Sequence, residues 1–465
     1  NQIKILKKTL FGKDHNCENI KTYSDFTRNI PAQNYNTLKP YIDLAKHGKS
    51  NAVWIGKPRW FAKSSGTTKN KSKFIPVTND SLKKCHFKAG KDMLSLYLTQ
   101  YPNSKILKGK SLMIGGSTDI NQCENYYTGD LSAIIIQNLP TWVQLKRLPS
   151  IKTSLITQWE EKIEKIIQES ENQNITNISG VPSWTLIIID KLMKKHKVNC
   201  LNQIWPNLEL YMHGGVNFEC YKSQFNNCVH TKKLNYLELY NASEGFFGIQ
   251  NDLQQNDLLL LVNHGVFYEF SPIKNGLEQV DKIIPLQEVE MNTIYSMIIT
   301  TNGGLWRYKI GDTITFSSLK PYKIKISGRT QSFINAFGEE LNESSANNAI
   351  NYACVKTNAI IKDYIAGPFF YNDKSGAHEW FIEFKTSPNN IGDFNKILDL
   401  KLKELNSDYE AKRGQNVLLK SPIIRVMKKN FFYNLFKQQN KLGGQNKIQR
   451  LHNNRKFITQ LIEKL

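Results

Sequence analysis

Two short apolar runs enclose a polar loop near the start of the chain, and this arrangement limits what the region can form. Trp60 and Phe61 precede the loop, and Phe74 and Ile75 follow it. The loop contains hydroxyl residues, one glycine and lysines: Ser64, Ser65, Gly66, Thr67, Thr68, Lys69, Lys71 and Lys73. The pattern predicts two strands joined by a loop whose hydroxyls, backbone N–H groups and charge suit polyphosphate oxygens. It is not a P-loop, because no second glycine precedes a lysine, and a polar surface turn is the alternative.

Chain length and composition limit the class of protein. At 465 residues the chain exceeds a typical single core, so we expect two or more domains. A hydrophobic share of 40% indicates a folded interior, and no apolar run approaches the length of a membrane span. The seven cysteines are scattered without a C-x-x-C pair, so neither a zinc site nor a disulfide framework is indicated. We therefore expect a cytoplasmic protein with no membrane partner.

The net charge of +22 allows two interpretations. Residues 411–462 contain no Asp or Glu but twelve Lys and Arg, together with the aromatic residues Phe431, Phe432, Tyr433 and Phe436. Such a segment can bind single-stranded nucleic acid, or it can belong to a basic domain that closes over an anionic substrate. We expect the second, because no nucleic-acid-binding module is recognisable.

Helical and strand patterns alternate along the chain, which predicts an α/β fold with sites at strand ends. The predicted helices cover residues 81–97, 157–171 and 182–193. The predicted strands cover residues 208–212, 234–240, 258–262, 266–270, 296–301 and 312–316.

Two further segments join polar residues to predicted strands. Ser243 and Glu244 follow one strand, and a hydroxyl beside a carboxylate suits a magnesium nucleotide. The alternative is a strand-end turn with Glu244 as a helix cap. Asp312 follows Gly311, and its carboxylate can accept hydrogen bonds from both ribose hydroxyls, although a Gly-Asp pair also occurs in ordinary turns.

The order of these segments resembles that of the adenylate-forming superfamily of acyl-CoA synthetases, peptide-synthetase adenylation domains and luciferases. Within it, the chain most resembles the Gretchen Hagen three (auxin-responsive) acyl acid–amido synthetases and their bacterial relatives. The segments that carry the resemblance are SSGTT at 64–68 with Lys73, MHGG at 212–215, YNASEGFFG at 240–248, WRYKIGD at 306–312, SGRTQSFINAFGEEL at 327–341 and GGQNKIQRL at 443–451. Together they cover most of the chain in the family's order.

The resemblance implies roles for the matching residues. The ATP contacts it implies are Ser64, Ser65, Gly66, Thr67, Thr68 and Lys73 at the phosphates, Gly214, Gly215 and Asn241 at the adenine, Asp312 at the ribose and Arg329 near the nucleotide. Capping of a turn is the alternative for Asn241. Ser243 and Glu244 match the pair that contacts phosphate and Mg²⁺. Lys447 matches the mobile catalytic lysine, although Lys437 and Lys441 lie close by in the sequence. Trp184 and His213 are candidate substrate contacts, with core packing as the alternative.

The resemblance also implies the domain arrangement and the reaction. We expect a large N-terminal α/β domain with a β-barrel part at residues 1–326, a hinge at 327–330 and a small mobile α+β domain at 331–465. The implied enzyme is an ATP- and Mg²⁺-dependent ligase that forms an acyl-adenylate from a carboxylic acid and transfers the acyl group to an amine such as an amino acid. A thiol acceptor and a non-catalytic nucleic-acid-binding protein are the alternatives. Asn70 stands where the plant pattern has glycine, and the sequence leaves open whether the protein is a monomer or a dimer.

Overall fold

The fold is a large mixed α/β part followed by a smaller α+β part. The computed structural model describes residues 2–64, 73–115, 120–215, 218–229, 234–274, 277–330, 332–337, 339, 341–372, 375–413, 419–438 and 448–463.

The strands of the large part form one small sheet and one large sheet. They are β1 (Trp60–Ser64), β2 (Lys73–Val77), β3 (Lys110–Ile114), β4 (Asn121–Gln122), β5 (Tyr127–Gly129), β6 (Arg147–Leu148), β7 (Ile175–Gly180), β8 (Leu210–Gly214), β9 (Asn235–Ala242), β10 (Gly245–Ile249), β11 (Leu258–Leu260), β12 (Val266–Lys274), β13 (Leu277–Glu278), β14 (Ile284–Pro285), β15 (Ile294–Thr301), β16 (Tyr308–Leu319) and β17 (Tyr322–Arg329).

Twelve helices accompany these strands among the described residues. They are α1 (Gln2–Leu6), α2 (Leu10–Asp14), α3 (Tyr23–Asn29), α4 (Tyr35–Lys46), α5 (Asn79–Ser81), α6 (Phe87–Gln100), α7 (Leu131–Asn138), α8 (Thr141–Lys146), α9 (Ile151–Ser154), α10 (Trp159–Ser170), α11 (Pro182–His196) and α12 (Glu219–Cys228).

The large sheet has a parallel half and an antiparallel half. Its order is β13-β12-β15-β16-β17-β11-β10-β9-β8-β7-β3-β6, with β14 paired to β12. In the parallel half, each strand runs parallel to its neighbour, in the order β9-β8-β7-β3-β6. In the antiparallel half, each strand runs antiparallel to its neighbour, in the order β9-β10-β11-β17-β16-β15-β12. The described pairings of the antiparallel half follow an open path, so the β-barrel part stays a prediction. The small sheet has the order β2-β1-β5-β4.

The C-terminal part is built around a three-stranded sheet with the order β20-β21-β22. Its elements are β18 (Phe333–Ile334), β19 (Leu341–Asn342), α13 (Glu343–Lys356), β20 (Ile360–Asn372), β21 (Ser375–Thr386), α14 (Ile391–Leu405), α15 (Ser407–Arg413), β22 (Ile423–Val426), α16 (Phe431–Gln438) and α17 (Lys456–Ile462).

Local sequence signals explain where several helices begin. The Thr78 hydroxyl accepts the N–H of Ser81 at the start of α5, and Asn342 accepts the N–H of Ser345 at the start of α13. Helix α11 begins with Pro182, whose fixed φ suits a first helical position. Residues Leu82–His86 form a π-helical turn between α5 and α6, so the predicted helix at 81–97 is continuous but locally widened.

Two large hydrophobic cores hold the molecule together. One lies within the large part and includes Phe61, Phe247 and Trp306. The second joins the parallel half of the large sheet to the C-terminal part, since it contains Tyr211 as well as Trp380. None of the described helices is both long enough and apolar enough to cross a membrane.

Candidate active site

A cleft of about 1760 Å³ separates the large part from the C-terminal part. From the large part it is lined by residues of α4, β2, β8, β9, β16 and β17. From the C-terminal part it is lined by residues of α13 and β20 and by residues 448–450. Segments that are hundreds of residues apart in the sequence therefore line the same cleft.

The C-terminal end of β8 brings backbone and an imidazole to this cleft. A Cβ on Gly214 would lie 2.3 Å from the carbonyl oxygen of Leu239 on the neighbouring β9, so only glycine fits there. His213 and Gly215 line the cleft. The predicted MHGG strand end is thus part of the cleft wall.

His213 is almost fully buried, with 3% of its surface exposed. Its ring stacks on Phe218 with a centroid distance of 3.9 Å. Burial, with a smaller effect of the nearby Lys222, lowers the pKa of His213 to about 3, so the imidazole is neutral at physiological pH. Its Nδ1 has no hydrogen-bond partner among the described residues.

Asp312 is held between two donors. It follows Gly311, whose φ of +86° is costly for other residues, and it pairs in register with Arg329 across β16 and β17. Arg329 Nε lies 3.1 Å from Asp312 Oδ1, and the Tyr240 hydroxyl donates to Asp312 Oδ2 at 2.7 Å. Attraction to Asp312 raises the pKa of Arg329. Asp312 of the predicted Gly-Asp segment therefore forms a charged cluster with Arg329 and Tyr240 at the cleft.

Ser243 and Glu244 form the turn between β9 and β10, where Ala242 pairs with Gly245. Because a strand follows the turn, the helix-cap interpretation of Glu244 is wrong. Burial raises the pKa of Glu244, and Asp312 raises it further, while Lys73 and Arg329 oppose the shift. Glu244 thus shares its electrostatic environment with three residues that line the cleft.

The polar loop connects two antiparallel strands, as predicted. Ser64 at the end of β1 pairs with Lys73 at the start of β2. Lys73 lines the cleft and donates to the Tyr308 hydroxyl at 3.5 Å. The Ser64 side chain and Ser65, Gly66, Thr67 and Thr68 lie outside the described residues.

Lys447 also lies outside the described residues, but the segment that follows it is well anchored. Ile448, Gln449 and Arg450 line the cleft. Arg450 donates through Nε to Asp363 at 3.1 Å and through Nη1 to Asn347 at 2.8 Å. The backbone of residues 450–452 pairs with Ala366 on β20, which fixes this segment on the C-terminal wall.

Of the remaining two predicted contacts, Asn241 lies at the cleft and Trp184 lies in the second core. Asn241 lines the cleft. Trp184 is 8% exposed, packs edge-to-face on Trp159 at 4.6 Å and belongs to the second core. Since Trp184 is not among the residues that line the cleft, a substrate contact for it stays a prediction.

Among the cleft residues that were not singled out from the sequence, Tyr240, Glu343 and Arg450 interact with charged or polar groups of the cleft. Tyr240 and Arg450 stand inside segments that carry the resemblance, but nothing in a linear motif shows that Tyr240 bonds to Asp312, 72 positions away. Glu343 adds to the attraction on Arg329 from the C-terminal part. Only the folded arrangement identifies these partners.

The described residues contain no group of three or more His, Cys, Asp or Glu side chains that could hold a metal ion. Mg²⁺ keeps several waters and is usually bound through one or two carboxylates plus substrate phosphates. A single carboxylate such as Glu244 is therefore compatible with Mg²⁺ bound together with a nucleotide.

Comparison with known families gives three matches along the chain. The GH3 family N-terminal domain matches residues 2–234, the GH3 family central domain matches residues 259–329 and the GH3 family C-terminal domain matches residues 344–456.

Named relatives are distant. A jasmonoyl–L-amino acid synthetase, JAR6, of Nicotiana attenuata is 24% identical over 355 residues, which cover 62% of this chain and 60% of the relative. The 4-substituted benzoates-glutamate ligase GH3.12 of Arabidopsis thaliana is 22% identical over 352 residues, which cover 62% and 60%. The chain thus spans less than two thirds of the length of these curated relatives.

Solved structures share the fold. A GH3.15 acyl acid amido synthetase superposes with a TM-score of 0.80 at 15% identity, covering 100% of this chain and 93% of that chain. A 2-hydroxyisobutyryl-CoA ligase in its postadenylation state, in complex with R3-HIB-AMP, superposes with a TM-score of 0.56 at 11% identity, covering 97% and 86%. The mixed α/β architecture with a smaller C-terminal domain is therefore that of these ligases.

Proposed function

Because the chain belongs to the GH3 family, we propose that it is an ATP-dependent ligase that activates a carboxylic acid and joins it to an amine such as an amino acid. The observation that supports this most is the charged cluster of Asp312, Arg329 and Tyr240 in the same cleft as Lys73 and Gly215. These residues come from separate segments, in the family's order.

In this proposal the cleft binds ATP along its length. Asp312 accepts hydrogen bonds from the ribose hydroxyls, because a carboxylate is an acceptor only and can take both. Gly214, Gly215 and Asn241 lie beside the adenine. Lys73 and the hydroxyl loop at Ser64–Thr68 bind the phosphates, and Arg329 adds positive charge near the nucleotide.

The first step is attack of a carboxylate oxygen of the acid on the α-phosphorus. The bond from the α-phosphorus to the bridging oxygen breaks, and pyrophosphate leaves with that electron pair. Negative charge grows on both fragments, so preorganised donors such as Lys73 and the proposed catalytic Lys447 stabilise the transition state. In the second step an amine nitrogen attacks the acyl carbon, the bond from that carbon to the phosphate oxygen breaks, AMP leaves with the electron pair, and the nitrogen releases a proton to give the amide.

The donor set also suits Mg²⁺ as a companion of ATP. Glu244 would hold the cation, and Ser243 would donate to a phosphate oxygen. A bound cation supplies charge neutralisation at the phosphates. Burial, together with repulsion by Asp312, raises the pKa of Glu244, and a bound cation would oppose that shift.

Substrate contacts and domain motion complete the proposal. His213, with a buried Nδ1 that has no partner among the described residues, is the better supported acid contact, and Trp184 is the second. Residues 327–330 serve as the hinge for a mobile domain at 331–465, which brings Lys447 to the first step. A cytoplasmic location remains part of the proposal.

The test is ATP–pyrophosphate exchange with purified protein over a broad panel of carboxylic acids. We expect exchange with at least one acid, and a loss of about 10²-fold or more in Asp312→Ala. Asp92→Ala is the matched control, because Asp92 pairs with Lys88 at 2.7 Å outside the cleft and should retain exchange. A folded wild-type protein that exchanges with no acid in the panel would contradict the ligase assignment.

A second stage tests the acceptor. With the active acid and ATP, amino acids and coenzyme A are offered in parallel and the products are identified by mass. An amide product supports the proposal. A thioester without an amide would instead assign a thiol acceptor.

A further inference from the structure

The Asp312 carboxylate is held by two donors that lie on different strands of the large sheet. Tyr240 on β9 donates to Oδ2 at 2.7 Å, and Arg329 at the end of β17 lies 3.1 Å from Oδ1. Asp312 itself is 7% exposed and lines the cleft. Because the cluster is buried on one side and open to the cleft on the other, its partners decide which way the carboxylate faces.

Tyr240 is a fixed partner. Its side chain is 6% exposed, and its ring packs edge-to-face on Phe247 at 5.1 Å within the first core. Burial, with Asp312 as the second cause, raises the pKa of Tyr240 well above its ordinary value, so the hydroxyl keeps its proton at any working pH. The Tyr240 hydroxyl is therefore a permanent donor to Asp312.

Arg329 is a partner whose charged surroundings include the C-terminal part. Its side chain is 39% exposed, and residue 329 lies within the proposed hinge segment. Glu343, at the start of α13 in the C-terminal part, also attracts it. Rotation of that part would carry Glu343 away and change the charge around Arg329, whereas Tyr240 and Asp312 both belong to the large part.

A carboxylate offers about four lone-pair positions, of which the two donors occupy two. The remaining positions are available to a ligand in the cleft. The two adjacent ribose hydroxyls are spaced so that each can donate to one oxygen of the Asp312 carboxylate. This requires the plane of the carboxylate to be held in one orientation. An unheld carboxylate would lose rotamer freedom on binding and would bind more weakly.

We propose that Tyr240 is a positioning residue for ribose recognition, and that its hydroxyl keeps Asp312 oriented whether or not Arg329 is engaged. This inference rests on the proposed function, because it assigns Asp312 to the ribose. Its consequence is that the nucleotide, and later the acyl-adenylate, stays bound by the large part while the C-terminal part changes position.

The experiment measures equilibrium binding of ATP, 2′-deoxy-ATP and 3′-deoxy-ATP by titration calorimetry to wild-type protein and to Tyr240→Phe. Wild-type protein should lose affinity with each missing hydroxyl. In Tyr240→Phe we expect ATP to bind about three- to tenfold more weakly, with little further loss for the deoxy nucleotides, so that discrimination shrinks. Equal weakening of all three nucleotides, or unchanged discrimination, would overturn the inference.

Two further variants separate positioning from general structure. Tyr268→Phe removes another fully buried hydroxyl, which donates to the carbonyl of Leu261 at 3.1 Å, and it should keep full discrimination. Arg329→Gln should weaken the three nucleotides alike, because Tyr240 still holds Asp312. Loss of discrimination in Arg329→Gln would overturn the inference even if Tyr240→Phe failed to fold.

The outcomes separate the role of Tyr240 from the proposed function. If wild-type protein binds no ATP, the proposed function fails and the inference fails with it. If wild-type protein binds ATP and discriminates between the nucleotides, but Tyr240→Phe discriminates equally well, only the role of Tyr240 is wrong.

Discussion

At the scale of single residues, the buried carboxyl group of Glu244 affects the stability of the fold. Burial and repulsion by Asp312 raise the pKa of Glu244, although Lys73 and Arg329 partly offset them. A carboxyl group with a raised pKa in the folded state makes folding less favourable once it ionises. The stability therefore falls as the pH rises from the ordinary glutamate pKa through the raised pKa of the folded protein.

We therefore predict that Glu244→Gln melts at a higher temperature than wild-type protein at neutral pH, and that this difference disappears as the pH falls to about 4. The same variant should lose about 10²-fold or more in Mg²⁺-dependent adenylation. Thermal melting across the pH range and pyrophosphate exchange at several Mg²⁺ concentrations measure the two effects.

Glu171→Gln is the matched control, because Lys195, 2.7 Å away, lowers the pKa of Glu171 instead of raising it. Its melting temperature should fall slightly or stay unchanged. A Glu244→Gln protein that is less stable than wild type at neutral pH would show that the Glu244 charge is stabilised in the folded protein.

The sequence signals that mark these residues differ in strength. Glu244 and Asp312 were candidates because each is a carboxylate beside a predicted strand: Glu244 follows one strand, and Asp312 follows a glycine at the start of another. Tyr240 was not, because a tyrosine at the end of a hydrophobic strand is normally core, and its hydroxyl becomes informative only when Asp312 is 2.7 Å away. The His213 ring was a candidate, but its burial, and an Nδ1 without a partner among the described residues, required the fold.

At the scale of elements, the contact between β8 and β9 fixes the floor of the cleft. Gly214 pairs with Leu239 in the parallel register of these strands. A Cβ at Gly214 would lie 2.3 Å from the Leu239 carbonyl oxygen, and a backbone atom cannot move aside as the end of a flexible side chain can. Any larger residue must push the two strand ends apart.

We predict that Gly214→Ala destabilises the protein by about 1–3 kcal/mol and weakens ATP binding at least as strongly. Gly90→Ala is the control, since a Cβ added at this position of α6 would have no described atom within 4 Å and the helix should gain about 0.5–1 kcal/mol. Chemical denaturation and nucleotide titration measure both. Unchanged ATP affinity in Gly214→Ala would mean that this strand end does not contact the nucleotide.

Strands and strand-ending motifs were the most predictable elements. The predicted strands at 208–212, 234–240 and 296–301 correspond to β8, β9 and β15 within a few residues. The loop between two strands at 59–78 is also confirmed at its ends by the pairing of β1 with β2. The π-helical turn at Leu82–His86 was not predictable, because it depends on packing around Cys85, whose sulfur accepts the N–H of Phe246 at 3.3 Å.

At the scale of the whole molecule, four of the twelve cations in the acid-free basic tail form ion pairs with acidic residues outside the tail. Arg425 and Arg455 both pair with Glu379 on β21, at 2.9 and 2.8 Å. Arg413 pairs with Asp399. The sequence showed twelve cations without acids in this segment, but it could not show that acids from β20, β21 and α14 fold against them. These pairings weaken the case for a nucleic-acid surface.

The contacts between the large part and the C-terminal part could not be predicted from the sequence. Composition and motif order indicate a large part and a small part, yet the second core contains residues of both. Direct bonds add to it, since Lys385 donates to Gln224 at 3.1 Å across the boundary. The proposed rotation of the C-terminal part would have to open these contacts, and contacts between distant segments leave no periodic pattern in the chain.

The Tyr433 hydroxyl on α16 donates a hydrogen bond to Glu160 Oε1 on α10 at 2.7 Å, between the C-terminal part and the large part. Removing this bond tests whether the present position of the C-terminal part is the one that supports adenylation. In Tyr433→Phe we predict that pyrophosphate exchange falls about two- to fivefold, because the docked position loses one hydrogen bond to a charged acceptor. Amide formation from presynthesised acyl-adenylate should not fall, since it does not require that position. Tyr352→Phe, an exposed tyrosine on α13, should leave both steps unchanged. If Tyr433→Phe slows both steps equally, the contact supports the fold and not one state of the hinge.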